Sequence, residues 1–269
     1  MATYKDKVIF ITGGSTGIGL GLAKQLAREG AKLGLFARSE PKLLAAKQVI
    51  LSETPNAVVH LAPVDATNYD ALEKAFEVIK NGLGTPDVVI NCVGRAYPDH
   101  FENIKTSQME DTMKTNFGSV WNASQLAFKL MKAKGGKIVN TSSIGGFVGV
   151  FGYTDYSASK FAIVGFSEAL KQELKRYNIQ VQVLCPPDTE TPGFETENLT
   201  KPEETKAISA SAKLMKPDDV AKEALKGIKN GTFMIIPGFD GKLTYFMKRH
   251  LPFIVNTVMD GSIKKAQGK

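Results

Sequence analysis

The sequence predicts an α/β fold in which a doubly wound, predominantly parallel sheet carries helices on both faces, and three observations predict it. Short apolar runs recur along the chain with helical stretches between them, and such alternation makes the strands parallel and covers both faces of the sheet. A glycine-rich turn stands between the first apolar run and the first helical stretch. The 269 residues are 43% hydrophobic, enough to bury one large core, whereas two independent domains would each be small. One domain over residues 1–269 is expected.

Val8-Ile9-Phe10-Ile11 is an apolar run stopped by glycines, and residues 20–29 then place apolar side chains at helical spacing until Gly30 ends them. The strand signal returns at residues 32–37, 57–64, 87–91, 137–140 and 180–184, each time after a helical stretch. After Leu184 the character changes. Pro186-Pro187, Pro192-Gly193 and a polar stretch to Lys206 read as an ordered but mobile loop or small subdomain. Ligands of open α/β sheets bind beyond the carboxyl ends of the strands, so this stretch, about 186–215, is expected to act as a substrate lid. A substrate- or membrane-proximal segment is expected at about 238–269.

The formal charge of +7 suits an anionic partner, but the lysines are dispersed, with no basic arm or aromatic-interleaved run, which argues against nucleic acid. Cys92 and Cys185 are far apart and neither belongs to a C-x-x-C pair, so a reducing, cytoplasmic setting fits best. His60, His100 and His250 share no metal-like spacing. The polar start from Met1 to Lys7 leaves no room for a secretory apolar region, and no window reaches the roughly 18 apolar residues of a membrane-spanning helix. Peripheral membrane contact stays open.

Thr12-Gly13-Gly14-Ser15-Thr16-Gly17-Ile18-Gly19 follows the first strand and opens the first helix. This is the context a dinucleotide site requires. Gly13, Gly17 and Gly19 allow a tight turn, close approach of backbone to a pyrophosphate, and close helix-to-strand packing, while the helix N-terminus offers N–H groups and a favourable dipole. The fold is therefore expected to be Rossmann-type with a seven-stranded sheet, six of whose strands are the runs above. The second strand ends at Ala37-Arg38, without the carboxylate that would bind a ribose 2′-hydroxyl. An arginine there can pair with a 2′-phosphate, which points to NADP(H). Asp65 either accepts from the adenine amino group or caps the next helix.

Tyr156 and Lys160 are four residues apart at the start of a helical stretch running to about Tyr177. On a helix they share a face, so the ammonium can favour the ionised phenol, which is otherwise a poor acid–base catalyst at neutral pH. Asn140-Thr141-Ser142-Ser143 ends a strand and puts a Ser143 hydroxyl at the sheet's carboxyl edge, where it can hydrogen-bond a reacting carbonyl.

Taken in order, T-G-x-x-x-G-x-G, N-x-x-G, S and Y-x-x-x-K resemble the short-chain dehydrogenase/reductase family over residues 5–235. The resemblance implies that Thr12, Gly13, Gly17 and Gly19 form the cofactor turn, and that Asn91-Cys92-Val93-Gly94 lies beside the adenosine ribose. It implies that Asn116 kinks a helix and holds a water linking Lys160 to solvent. Tyr156 would protonate a ketone oxygen as hydride arrives from the nicotinamide, with Ser143 orienting that oxygen. Ser15, Thr16, Ile18, Ala66, Pro186, Thr189 and Thr191, with Tyr156 and Lys160 themselves, complete the expected cofactor contacts. A homodimer or homotetramer is implied, commonly through the helix carrying Tyr156.

Within that family, P-P-D-T-x-T-P-G-F at residues 186–194 resembles the 3-ketodihydrosphingosine reductases, and Glu197-Asn198, Thr200-Lys201-Pro202 and Lys216-Pro217 extend the similarity. The implied substrate is a long-chain lipid ketone, which needs an apolar channel. Candidate lining is Phe194, Leu199 and Ile208 from the lid, and Phe239, Leu243, Tyr245, Phe246 and Met247 from the tail. Residues 245–255 mix aromatics with Lys248, Arg249 and His250, as an interfacial segment would, although Pro252 interrupts any helix there. The expectation is a soluble enzyme that extracts its substrate from a bilayer. Another ketone (a 3-oxoacyl thioester, steroid or small carbonyl) is the alternative within the family, and an inactive nucleotide-dependent lipid-binding protein the alternative outside it.

Overall fold

The computed structural model describes residues 4–210 and 213–268. Among them, seven strands pair in parallel in the order β3-β2-β1-β4-β5-β6-β7. The strands are β1 (Val8–Thr12), β2 (Lys32–Ala37), β3 (Val58–Pro63), β4 (Val88–Asn91), β5 (Gly136–Thr141), β6 (Ile179–Leu184) and β7 (Met234–Ile235). The first six coincide with the apolar runs to within one residue at most ends. At two residues, β7 is too short to show any alternation.

The helices are α1 (Gly17–Arg28), α2 (Glu40–Glu53), α3 (Tyr69–Leu83), α4 (Thr106–Met113), α5 (Ser119–Met131), α6 (Thr154–Leu174), α7 (Pro192–Asn198), α8 (Glu203–Ser209), α9 (Pro217–Lys229), α10 (Phe239–His250) and α11 (Pro252–Ala266). Strand residues alternate between two cores. Ile9, Ile11, Leu33 and Leu35 pack with Leu22 and Leu26 of α1, Leu43 and Ile50 of α2, and Leu225 and Ile228 of α9. Phe10 and Phe36 pack on the opposite face with Phe76 of α3 and Leu126 of α5. Because both faces are covered, β1 is apolar at every position but its last. Phe10, Phe36 and Phe76 stack mutually, with ring centroids 4.7–5.3 Å apart.

The chain winds outward from β1 to β3, then returns to β4 on the other side of β1. That reversal opens a crevice above β1 and β4, where a ligand can enter between diverging loops. Between α4 and α5, residues Lys114–Gly118 form a π-helical turn that bears Asn116. This is the irregularity the resemblance implied.

The stretch expected to be a lid folds as α7 and α8, pinned by Thr205 Oγ1 donating to the Phe151 carbonyl (2.8 Å) and by a Thr189–Met215 bridge. Its residues 211–212 lie outside the described residues, as do Met1, Ala2, Thr3 and Lys269. The tail forms α10 and α11, broken at Leu251 because Pro252 occupies the first turn of α11 and has no N–H to continue α10.

Candidate active site

The carboxyl ends of the strands face a cavity of about 1980 Å³. At its floor the glycine-rich turn is tight. Gly13 has φ +72° and Gly17 φ +55°, in the region that favours glycine, and a Cβ on Gly19 would lie 2.2 Å from the Gly13 carbonyl oxygen. Thr16, the N-cap of α1, makes no side-chain capping bond. The first-turn N–H groups are thus left for an anion, and Ser15, Thr16, Gly17, Ile18 and Gly19 all line the cavity there. A pyrophosphate fits this cradle.

Arg38, Asp65, Ala66, Gly94, Ser143, Tyr156, Lys160, Pro186, Thr189 and Thr191, all candidate site residues, also line the cavity. Arg38 is joined by Lys42, which that reading missed, so two cations flank the end of β2. Asp65 Oδ1 accepts the Thr67 N–H at 2.9 Å within the loop, and it is Asn68, not Asp65, that caps α3. Partial burial works to raise its pKa, but the Thr67 hydrogen bonds and the charges of Arg38 and Lys114 outweigh that and hold it below the ordinary value.

Thr12, Asn91 and Asn116 do not line the cavity. Asn91 lies just behind the cavity wall. It stands opposite Asn140 in the β4–β5 register, and its amide donates to Asn140 Oδ1 at 2.8 Å and to Ser124 Oγ at 3.3 Å, while its Oδ1 accepts from Thr12 at 3.3 Å. Its side chain serves this buried polar row, and Cys92, Val93 and Gly94 face the cavity instead. Asn116 is wholly buried, its amide donating to the Arg95 carbonyl (2.9 Å) and Ser159 Oγ (3.0 Å).

Helix α6 presents Tyr156 and Lys160 together. Its first turn is fixed by buried Asp155, which accepts from the Tyr156 N–H at 2.7 Å and from Thr112 Oγ1 at 2.8 Å. Lys160 Nζ donates to the Thr141 carbonyl at 3.1 Å and lies 5.5 Å from the Tyr156 ring centroid. A Cβ on Gly94 would stand 3.1 Å from that nitrogen, so glycine permits its approach. Ser143 hydrogen-bonds Tyr156 and accepts the Gly145 N–H at 3.1 Å.

Burial brings the Lys160 pKa down to about 8. Burial, then the charge of Glu197, push the Tyr156 phenol upward, and the Ser143 hydrogen bond opposes them only in part. The sequence reading had Lys160 favouring the ionised phenol. In the cavity without a bound cofactor, desolvation wins and the proton stays on Tyr156.

Four residues here escaped the sequence reading as site residues: Tyr153, Asp188, Glu197 and Lys201. Tyr153, whose ring centroid lies 5.5 Å from that of Tyr156, donates its Oη to Glu197 Oε1. Lys201 is buried, with Nζ 3.4 Å from Glu197 Oε1 and 4.1 Å from the Phe194 ring centroid. Asp188, Glu197 and Lys201 stand in the segments that carry the resemblance, and Glu197 and Lys201 are spaced i, i+4, but neither signal says that they fold back onto Tyr156. Of the expected apolar lining, Phe194, Ile208, Phe239 and Tyr245 face the cavity. Leu199, Leu243, Phe246 and Met247 do not, because they take the outer faces of their short helices; Leu199 is 82% exposed. Ile144, Val148, Val255 and Met259 line it in their place.

Residues 7–202 match the short chain dehydrogenase family, and the chain belongs to it. It is an oxidoreductase acting on a carbonyl or hydroxyl group of a small molecule with a nicotinamide cofactor. It is 40% identical over 237 residues to the 3-ketodihydrosphingosine reductase of Bos taurus, covering 87% of this chain and 71% of that protein. It is 33% identical over 227 residues to the 3-oxoacyl-[acyl-carrier-protein] reductase FabG of Chlamydia muridarum, covering 84% of each. Among solved structures, levodione reductase superposes with a TM-score of 0.81 at 25% identity, over 90% of this chain and 99% of that one.

Proposed function

We propose that this protein reduces the 3-keto group of 3-ketodihydrosphingosine to dihydrosphingosine, using NADPH. The observation that carries the reading is that Tyr156, Ser143 and Lys160 share one cavity whose further walls are the apolar side chains of α7, α8, α10 and α11. The 40% identity to a reductase of that name supports it.

A bound reduced nicotinamide supplies hydride to the carbonyl carbon. Tyr156 gives its phenolic proton to the ketone oxygen, and Ser143 donates a hydrogen bond to the same oxygen as negative charge develops on it. The Lys160 ammonium, 5.5 Å from the phenol ring, stabilises the phenolate left behind. Asn116 holds the Arg95 backbone beside Lys160 and starts the path by which the proton is replaced. Arg38 and Lys42 bind the 2′-phosphate and favour NADPH over NADH. The segment of α7 and α8 closes over the substrate, the protein assembles through the faces of α5 and α6, and it works in the cytoplasm in peripheral contact with membranes. Among the described residues no helix is long and apolar enough to cross one.

The similarity to FabG favours a second reading, a 3-oxoacyl thioester as substrate. NADPH oxidation in detergent, measured with 3-ketodihydrosphingosine and with a 3-oxoacyl thioester, separates the two. Turnover of the sphingoid ketone alone is the expected outcome, and turnover of the thioester alone would reassign the substrate.

A further inference from the structure

Beside Tyr156 the cavity carries carboxylates that the reduction of a simple ketone does not use. Asp188 and Glu197 both line the cavity with Tyr156; Lys201 forms an ion pair with Glu197, and the charge of Lys160 also reaches Glu197. Glu197 is already committed, accepting from Tyr153 Oη and pairing with Lys201. The Asp188 carboxylate has no hydrogen bond or ion pair among the described residues. It is nevertheless largely enclosed, and the charge of Lys201 reaches it only through space. A desolvated carboxylate with no partner is costly, and the fold retains one within electrostatic reach of the group proposed to protonate the ketone.

Position narrows what this carboxylate is for. Asp188 follows β6 through Cys185-Pro186-Pro187, and the two prolines restrict the backbone that carries it. Its carbonyl accepts the Met215 N–H at 3.0 Å, and the next residue, Thr189, is bridged to Met215. The side chain is thus presented by a fixed loop. A cation that satisfied it would share the cavity with Tyr156 and Ser143, and the charge of Asp188 reaches Tyr156, which places that cation with the substrate.

We propose that Asp188, with Glu197 held behind it by Tyr153 and Lys201, is the subsite for a substrate ammonium on the carbon next to the ketone, and so selects α-amino ketones. This rests on the sphingoid reading of the substrate, whose C2 amine adjoins its C3 carbonyl. Lys201 pairs with Glu197, Asp188 has no ion-pair partner of its own, and the substrate ammonium would supply one. Keeping that amine protonated also withdraws electrons from the neighbouring carbonyl carbon and makes it a better hydride acceptor.

The test compares kcat/KM for 3-ketodihydrosphingosine and for 1-hydroxyoctadecan-3-one, the same chain lacking the amine, in the wild-type protein and in Asp188→Asn, with NADPH. Hydrogen bonds to charged groups contribute about 1.5–3 kcal/mol, so the preference for the amino ketone should fall about 10- to 100-fold in the variant, with the change in KM larger than that in kcat. The neutral ketone doubles as the control for folding. An unchanged preference in Asp188→Asn, or an equal loss on both substrates, overturns this inference and leaves the sphingoid reading standing. A wild-type protein that does not turn over the amino ketone but does reduce a 3-oxoacyl thioester overturns both.

Discussion

Burial of the Lys160 ammonium works against its charge and lowers its pKa from 10.5 to about 8. Between those values the unfolded chain holds a proton that the folded chain has released, so stability rises with pH across that window, and the full penalty applies below it. Removing the group by Lys160→Met should abolish this contribution. The unfolding free energy of wild type minus that of the variant, followed by denaturant titration, should climb from pH 8 to 10.5; a flat difference would show that Lys160 is not desolvated. For Tyr156→Phe, loss of the proposed general acid should lower kcat by about 10²- to 10⁴-fold with NADPH affinity little altered, measured by single-turnover kinetics and nucleotide fluorescence. Activity that survives this substitution would show that Tyr156 is not the general acid, and a wild-type protein that binds NADPH but reduces no ketone would favour a nucleotide-dependent binding protein. Arg38→Ala should raise the KM for NADPH about 10-fold or more, given what a charge-assisted hydrogen bond contributes, while the KM for NADH hardly moves. Equal effects on both cofactors would mean that Arg38 does not read the 2′-phosphate.

At the scale of elements, the central strands were legible because they are buried on both faces and so read as apolar runs, as residues 8–11 do, while the edge strand β3 still shows its short apolar residues although half of its positions are exposed. The glycine turn was legible because its backbone must reach positive φ at Gly13 and Gly17, which only glycine does freely. Its most constrained member is Gly19. A methyl group there would meet backbone, the Gly13 carbonyl oxygen at 2.2 Å, and backbone cannot swing aside. We expect Gly19→Ala to weaken NADPH binding at least 10-fold and to lower the melting temperature by several degrees, as overpacking of about 1–3 kcal/mol does; thermal melts with and without NADPH read both effects. What the sequence hid was of another kind. The inward turn of the Asn91 side chain depends on its neighbour across the sheet, Asn140, and strand pairing is not written locally. Glu197 reaches Tyr153 beside Tyr156 only through the docking of α7, and seven-residue helices carry too little periodicity to announce where they dock.

For the whole molecule, two of the places where apolar side chains reach the surface bear on the proposed function, and it uses each differently. On α5 and α6, Trp121 and Phe161 are 47% and 44% exposed, and Trp121 packs on Phe166 at 5.1 Å. This face adjoins the helix of Tyr156, where a second copy would bury it. On α10 and α11, Phe239, Leu243 and Phe246 follow one another at helical spacing, and Phe253 is 63% exposed, with Lys248 and Arg249 at the close of α10. These residues surround the apolar end of the cavity, the end through which a long-chain ketone would enter, since Phe239, Tyr245, Val255 and Met259 continue the same patch inward. A bilayer supplies both the apolar depth for the phenylalanines and, when anionic, about 1 kcal/mol for each basic residue near its surface. Sedimentation with vesicles of mixed zwitterionic and anionic lipid should therefore pull down the wild-type protein at low salt, and the Phe246→Ser, Phe253→Ser double variant should bind several-fold less. The same variant should keep its turnover of a short, water-soluble ketone yet lose activity on substrate embedded in vesicles. If vesicle-borne substrate is reduced equally fast by both proteins, this surface is not the membrane entrance, and delivery must come from substrate already free in solution.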